Sequence, residues 1–317
     1  MHDLPGLDTG LGRGEGITTT TGVGGASASP TPPSPALGRR ASRFLDARPR
    51  AQLVALLALP LTWLAFAYVG SLVSLLITAF YKTDPFTTQI VKEFTLDNFA
   101  KLFEPAYRTV AIRTVLVAAT VTVIDFLIAL PMAFTLAKVV SDRSRRILIV
   151  LVLMPLWASY LVKAYAWRAM LAPEGIVRQV FGHTPGYGLT ATIITLSYLW
   201  LPYMLIPIYA GLERLPNSML EAASDLGAKS GRTFVTVVVP LLKPAIIAGS
   251  IFTFSLSLGD YISVDIVGGT TQMIGNVVFR NFGANNIPFA AALSTVPVVV
   301  MVVYLFAVRR TGALDNL

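Results

Sequence analysis

The chain has 317 residues, 54% of them hydrophobic and only 13% charged, with a mean hydropathy of +0.67. Soluble domains carry roughly twice that share of charge, so an ordinary soluble enzyme is excluded at the outset. The net charge of +8 does not mark a nucleic-acid binder, because the basic residues lie scattered between long uncharged runs instead of on one patch.

Residues 1–50 differ from the rest. Thr18–Thr21, Gly22, Gly24, Gly25 and the stretch 27–35 form a low-complexity run of Gly, Thr, Ser and Pro that ends in Arg39, Arg40, Arg43, Arg48 and Arg50. Such a run buries too little apolar surface to offset its ordering entropy, and it reads as a disordered tail with a basic end. No apolar stretch lies near Met1, so the tail is not read as a secretory signal.

The remainder, 51–317, reads as one membrane domain. A bilayer core about 30 Å thick needs roughly 20 apolar residues per helix. Six segments meet that length: 51–80, 114–137, 147–167, 189–212, 244–267 and 281–308. Strand-period alternation is missing, which removes a membrane β-barrel. The predicted fold is therefore an all-α, six-helix integral membrane protein. With the N-terminus inside, sixteen Lys and Arg fall on the inner side and nine on the outer, so both termini are expected in the cytoplasm. Pro60, Pro131, Pro155, Pro202, Pro207 and Pro297 are expected to kink these spans. The chain has no Cys and only two His, His2 and His183, so thiolate chemistry is excluded and neither a metal site nor a cofactor is expected.

The inner loop between the fourth and fifth segments, at about 213–240, carries the strongest signal. Ser218 followed by Glu221 forms a capping box for a short helix. Gly227 stands where a left-handed residue ends that helix, and a second short helix follows from Ser230 towards Pro240. Gly227-Ala228-Lys229-Ser230 lacks the glycines of a P-loop, so the chain is not expected to hydrolyse ATP itself.

The order Glu221-Ala222-Ala223, three residues, Gly227, nine residues, Val237, one residue, Val239-Pro240 resembles the EAA loop of ABC-importer permeases. Val237 and Val239 stand where that family usually shows Ile and Leu. The resemblance extends over about 51–310. Phe94-Thr95-Leu96-Asp97-Asn98-Phe99, Tyr165-Ala166-Trp167, Met273-Ile274-Gly275-Asn276 and Pro288-Phe289-Ala290-Ala291 look most like the spermidine/putrescine-type branch. It implies a MetI-like bundle in the cell membrane, forming half of a pore for a small solute such as a polyamine. It also implies two ABC ATPase copies, a second homologous permease and an extracytoplasmic solute-binding protein as partners. ATPase coupling would then rest on Glu221, Ala222, Ala223, Asp225 and Gly227. The same role for an amino-acid derivative, a phosphonate or iron stays open, as does a stand-alone proton-coupled transporter using Asp125 or Asp260.

Acidic residues inside a bilayer are costly and usually face a cavity or a partner. Asp260 and Asp265 lie late in the fifth segment, about 140° apart if that segment stays helical, with Tyr261 beside them for a cation–π contact. Asp125 lies mid-way along the second. These four are the candidate cargo path. Trp63, Trp157, Trp167 and Trp200 read as packing or interface residues, and Lys163 and Arg168 as side chains reaching for outer headgroups.

Overall fold

The computed structural model describes residues 49–84, 86–216, 218–219 and 230–310. The chain divides into two units, 1–64 and 65–317. The first contributes α1 (Pro49–Leu64). The second holds α2 (Gly70–Thr78), a two-stranded ribbon of β1 (Lys82–Thr83) and β2 (Ile90–Val91), and helices α3 (Asp97–Leu102) to α14. The apolar helical stretch Leu56–Thr78 is long enough to cross a membrane.

Three helices form the centre of the second unit: α4 (Pro105–Phe134), α8 (Leu189–Arg214) and α11 (Lys243–Gly259). Small residues allow their close approach. A Cβ on Gly249 of α11 would stand 2.8 Å from Met204 Sδ and 3.1 Å from Met204 O on α8. One on Gly211 would stand 2.9 Å from Ala245 Cβ and from Leu242. Without water to drive helices together, such close packing is what holds membrane bundles. Ala129, Ala133, Leu136, Met204, Ile208, Leu212 and Val238 fill the inner half of this core. Val117, Val121, Leu196, Val264 and Met273 fill part of the outer half. The opposite face of α4 leaves Leu116, Val123 and Leu127 exposed, which suits hydrocarbon rather than water.

Two of the six expected spans are not continuous. The third is α5 (Asp142–Leu153), a tight turn Met154–Trp157, then α6 (Tyr160–Leu171) and α7 (Ile176–Phe181); its halves meet at 94°. Pro155 removes a helical N–H there, and Ala158 and Ser159 are extended. The fifth is the helical stretch Gly231–Leu241 followed at 70° by α11, which itself stops at Gly259. Residues 244–267 therefore hold two helices, α11 and α12 (Ile262–Val267), with Asp260 extended between them. Continuous helices cross at Pro105–Val139, Leu189–Arg214 and α14 (Ile287–Arg309), with α13 (Ile274–Gly283) leading into the last. Among the described residues four helices are long and apolar enough to cross a membrane, or up to six if each bent pair is one span. Pro202 and Pro207 sit inside an unbroken α8, so proline alone does not decide where a span breaks.

Between α2 and α3 the chain makes the small ribbon, which the apolar pattern does not reveal. Asp84 closes its turn: Oδ1 accepts from the N–H groups of Phe86 (2.8 Å) and Thr87 (2.9 Å), which hold its carboxyl below the ordinary 3.8. Asn98 donates to Ala79 O and Tyr81 O, seating α3 on the end of α2.

Candidate functional site

The break between α11 and α12 carries the most developed polar cluster in the second unit. Gly259 ends α11, and extended Asp260 turns the chain. Ser263 N–H then donates to Asp260 Oδ1 at 2.9 Å, so the carboxylate caps the first turn of α12. Tyr160 arrives from α6 across the break in the third span. Its hydroxyl donates to Asp260 Oδ2 at 2.6 Å and stands 2.6 Å from Ser263 Oγ. Two interrupted spans thus meet at one carboxylate.

Asp260 is only 6% exposed, yet it borders a cavity of about 290 Å3 with Tyr160, Trp200, Gly259 and Tyr261. Trp200 stacks on Tyr160 at 5.9 Å between ring centres. Tyr261 stacks on Phe279 of α13 at 4.9 Å and also lines a neighbouring cavity of about 360 Å3. Helix α13 runs hard against the break, since a Cβ on Gly275 would lie 2.9 Å from Asp260 O. The Ser263 hydroxyl lies 3.3 Å from Asp260 Oδ2 as a further donor, so Tyr160 and Ser263 together hold both carboxylate oxygens at the edge of the cavity. An ammonium group there meets a negative charge and several aromatic faces.

The other predicted path residues lie elsewhere. Asp265, on α12, pairs with Arg280 of α13 at 3.1 Å with both side chains about half exposed, and it does not line the Asp260 cavity. Asp125 is fully buried on α4, and neither carboxylate oxygen has a well-formed hydrogen bond; Ser197 of α8 is the polar side chain that acts on it. Arg168 is not reaching for headgroups: it donates to Ile266 O at the end of α12 and covers the Tyr187 ring at 5.0 Å. Trp200 lies at the cavity, whereas Trp157 is 90% exposed at the turn of the third span. Tyr160 and Ser263 are the members of the cluster that the sequence does not announce. A Gly-Asp pair inside an apolar run is the signal that marks the break; nothing in the chain marks a tyrosine 100 residues earlier as its partner.

The predicted coupling residues Glu221, Ala222, Ala223, Asp225 and Gly227 lie outside the described residues. Both flanks of that loop are described. Before it, Lys138 Nζ donates to Leu215 O at 2.6 Å just past α8. After it, Phe234 meets Phe134 edge-on at 5.2 Å. The helical stretch from Ser230 runs to Leu241, in line with the expected second short helix. Among the described residues no group of three or more His, Asp or Glu is placed to hold a metal ion.

Residues 111–311 match the family described as binding-protein-dependent transport system inner membrane component. The chain is 41% identical to the inner membrane ABC transporter permease protein YdcU of Escherichia coli over 303 residues, 89% of this chain and 96% of that protein. It is 34% identical to the spermidine/putrescine transport system permease protein PotB of Haemophilus influenzae, over 70% of this chain and 81% of that one. Its fold resembles a chain of a bacterial ABC transporter that imports the acidic polysaccharide alginate, with a TM-score of 0.66 and 18% identity over 84% of this chain and 99% of that one. It also resembles the inward-facing MetNI methionine ABC transporter, with a TM-score of 0.52 and 17% identity over 64% and 93% of the two chains. Apolar spans, an inner loop with EAA spacing and this match together place the chain among the binding-protein-dependent inner membrane components, the permease subunits of ABC importers.

Proposed function

We propose that this permease subunit lines half of a translocation pore for a small organic cation of the polyamine class, and that Asp260 is its charge partner along the path. The observation that carries this reading is the Asp260 carboxylate at the edge of an aromatic cavity with Tyr160, Trp200 and Tyr261. Partly buried carboxylates are costly without a counter-charge, and a passing ammonium supplies one. Anionic cargo such as a phosphonate meets repulsion at the same place. The spermidine/putrescine name of the PotB relative supports the same class. Asp265 and Asp125 belong to the path only in so far as they flank it: Asp265 braces α12 through Arg280, and Asp125 lies in the core between α4 and α8.

The subunit is proposed to work with a second homologous permease, two copies of an ATPase and an extracytoplasmic solute-binding protein. Glu221, Ala222, Ala223, Asp225 and Gly227 are the proposed docking elbow for the ATPase. The pinned flanks at Lys138–Leu215 and Phe134–Phe234 support it, because a force on the elbow then reaches the bundle without slack.

The test is uptake into proteoliposomes holding the full assembly. ATP-dependent uptake of labelled putrescine or spermidine is expected, with Asp260→Asn depressing it about tenfold. Gly227→Leu is expected to leave ATP hydrolysis running while uptake stops. Transport of a phosphonate or a neutral sugar in place of polyamine overturns the cargo, and uptake without any ATPase overturns the mechanism.

A further inference from the structure

A second polar cavity, of about 500 Å3, opens between the ribbon, α3, the end of α13 and the start of the last span. Lys82 stands on β1 and Asp84 in the turn after it, Asp97 and Lys101 on α3, Asn281 on α13 and Asn286 just before α14. Each charged wall therefore offers one cation and one anion, and Lys82 Nζ also pairs with Glu93 at 3.6 Å, a half-exposed pair that an incoming carboxylate can replace. Small-molecule sites bury their solute against mostly apolar walls; charged, amide-rich walls are typical of surfaces where proteins steer one another.

The walls are fixed before anything binds. Thr83 Oγ1 donates to Asn286 Oδ1 at 3.1 Å, and Asn285 Nδ2 donates to Thr88 O at 3.1 Å. These bonds tie the ribbon to the turn before the last span, although the two lie about 200 residues apart in the chain. A preformed socket loses little freedom on binding. Under the Lys and Arg bias, both loops face the exterior.

We propose that this cavity is the socket for a loop of the solute-binding protein that carries both an acidic and a basic side chain, and that no cargo occupies it. The proposal rests on the importer reading above. It assigns Lys82 and Lys101 to the loop's carboxylates, and Asp84 and Asp97 to its basic group.

The experiment uses the whole transporter in nanodiscs with its ATPase and the purified, solute-loaded binding protein. Acetylation of Lys82 and Lys101 by a membrane-impermeant ester is followed by mass spectrometry, which requires no variant. Docked binding protein is expected to shield both lysines, and free spermidine to shield neither. The Lys82→Glu/Lys101→Glu double variant is expected to weaken docking at least about tenfold and to steepen its salt dependence. Equal labelling with and without the binding protein overturns the socket, as does shielding by spermidine alone, which makes the cavity a cargo subsite. If the binding protein fails to stimulate ATP hydrolysis by the unmutated complex, the importer reading fails with it. If it stimulates both complexes equally, only the socket fails.

Discussion

The unbroken helices α4 and α8 and the interrupted pairs α5–α6 and α11–α12 divide the labour of the bundle. Helices α4 and α8 bury alanine, valine and leucine against one another and keep their course, in α8 even through Pro202 and Pro207. The interrupted spans bring the polar cluster. Asp260 sits at one break and Tyr160 directly follows the other, and they bond at 2.6 Å. Backbone freed from a helix in a membrane needs partners from side chains. Asp260 provides them at its own break by capping α12, and in doing so it places a carboxylate beside the cavity. The lesson is that a break persists where a side chain satisfies the exposed backbone.

The largest effect should come from forcing the unbroken core apart. Gly249→Val places methyl groups on Met204 of α8, whose backbone cannot retreat without moving the helix. A loss of roughly 3 kcal/mol is expected, read as a collapse of monodisperse protein and of its melting temperature in detergent. Wild-type melting in that variant would end the claim that α8 and α11 form the rigid part.

Next comes the cap. Asp260→Ala leaves the Tyr160 hydroxyl and the Ser263 N–H without their acceptor and should cost about 2 kcal/mol. Uptake should fall below detection. Asp260→Asn keeps an acceptor for Ser263 while removing the charge, so melting should recover while uptake stays about tenfold below wild type. Recovery of both would make the carboxylate purely structural. Tyr160→Phe removes one donor to a charged acceptor, worth about 1.5 kcal/mol. A milder fall in melting temperature is expected, and hydrogen exchange at the first turn of α12 should quicken.

Arg280→Gln should matter little, because its pair with Asp265 is half exposed; about 0.5 kcal/mol is expected, and less at high salt. A large effect there would move α13 from brace to working part. The smallest effect concerns pH. The folded Asp84 carboxyl lies below its ordinary 3.8, so its contribution to the ribbon is present above that value and is lost as pH falls through the lower folded one. Protection of the Phe86 and Thr87 amides relative to their intrinsic exchange should therefore be flat from neutral pH down to about 4 and fall only below it. Asp84→Asn should remove that dependence.

Much of this architecture is legible in the chain because membrane spans are written as length and polarity. The apolar runs fix the number of crossings, and Glu221 to Pro240 fix the kind of protein. The breaks are less legible. Pro155 marks one of them, but Pro202 and Pro207 look the same on paper and break nothing. Asp260 stands out as an acid in an apolar run, yet an angle of 140° to Asp265 assumes a helix that the structure does not have. The pairing with Tyr160 lies beyond any local pattern, because it depends on how two bent spans cross.

Phe134 and Lys138, which hold the two ends of the inner loop, are four residues apart at the inner end of the longest helix. Under the proposed coupling, a pull on that loop would therefore reach one rod at a single place and would tilt α4 as a lever does, instead of stretching a string, with its far tip at Pro105 next to α3.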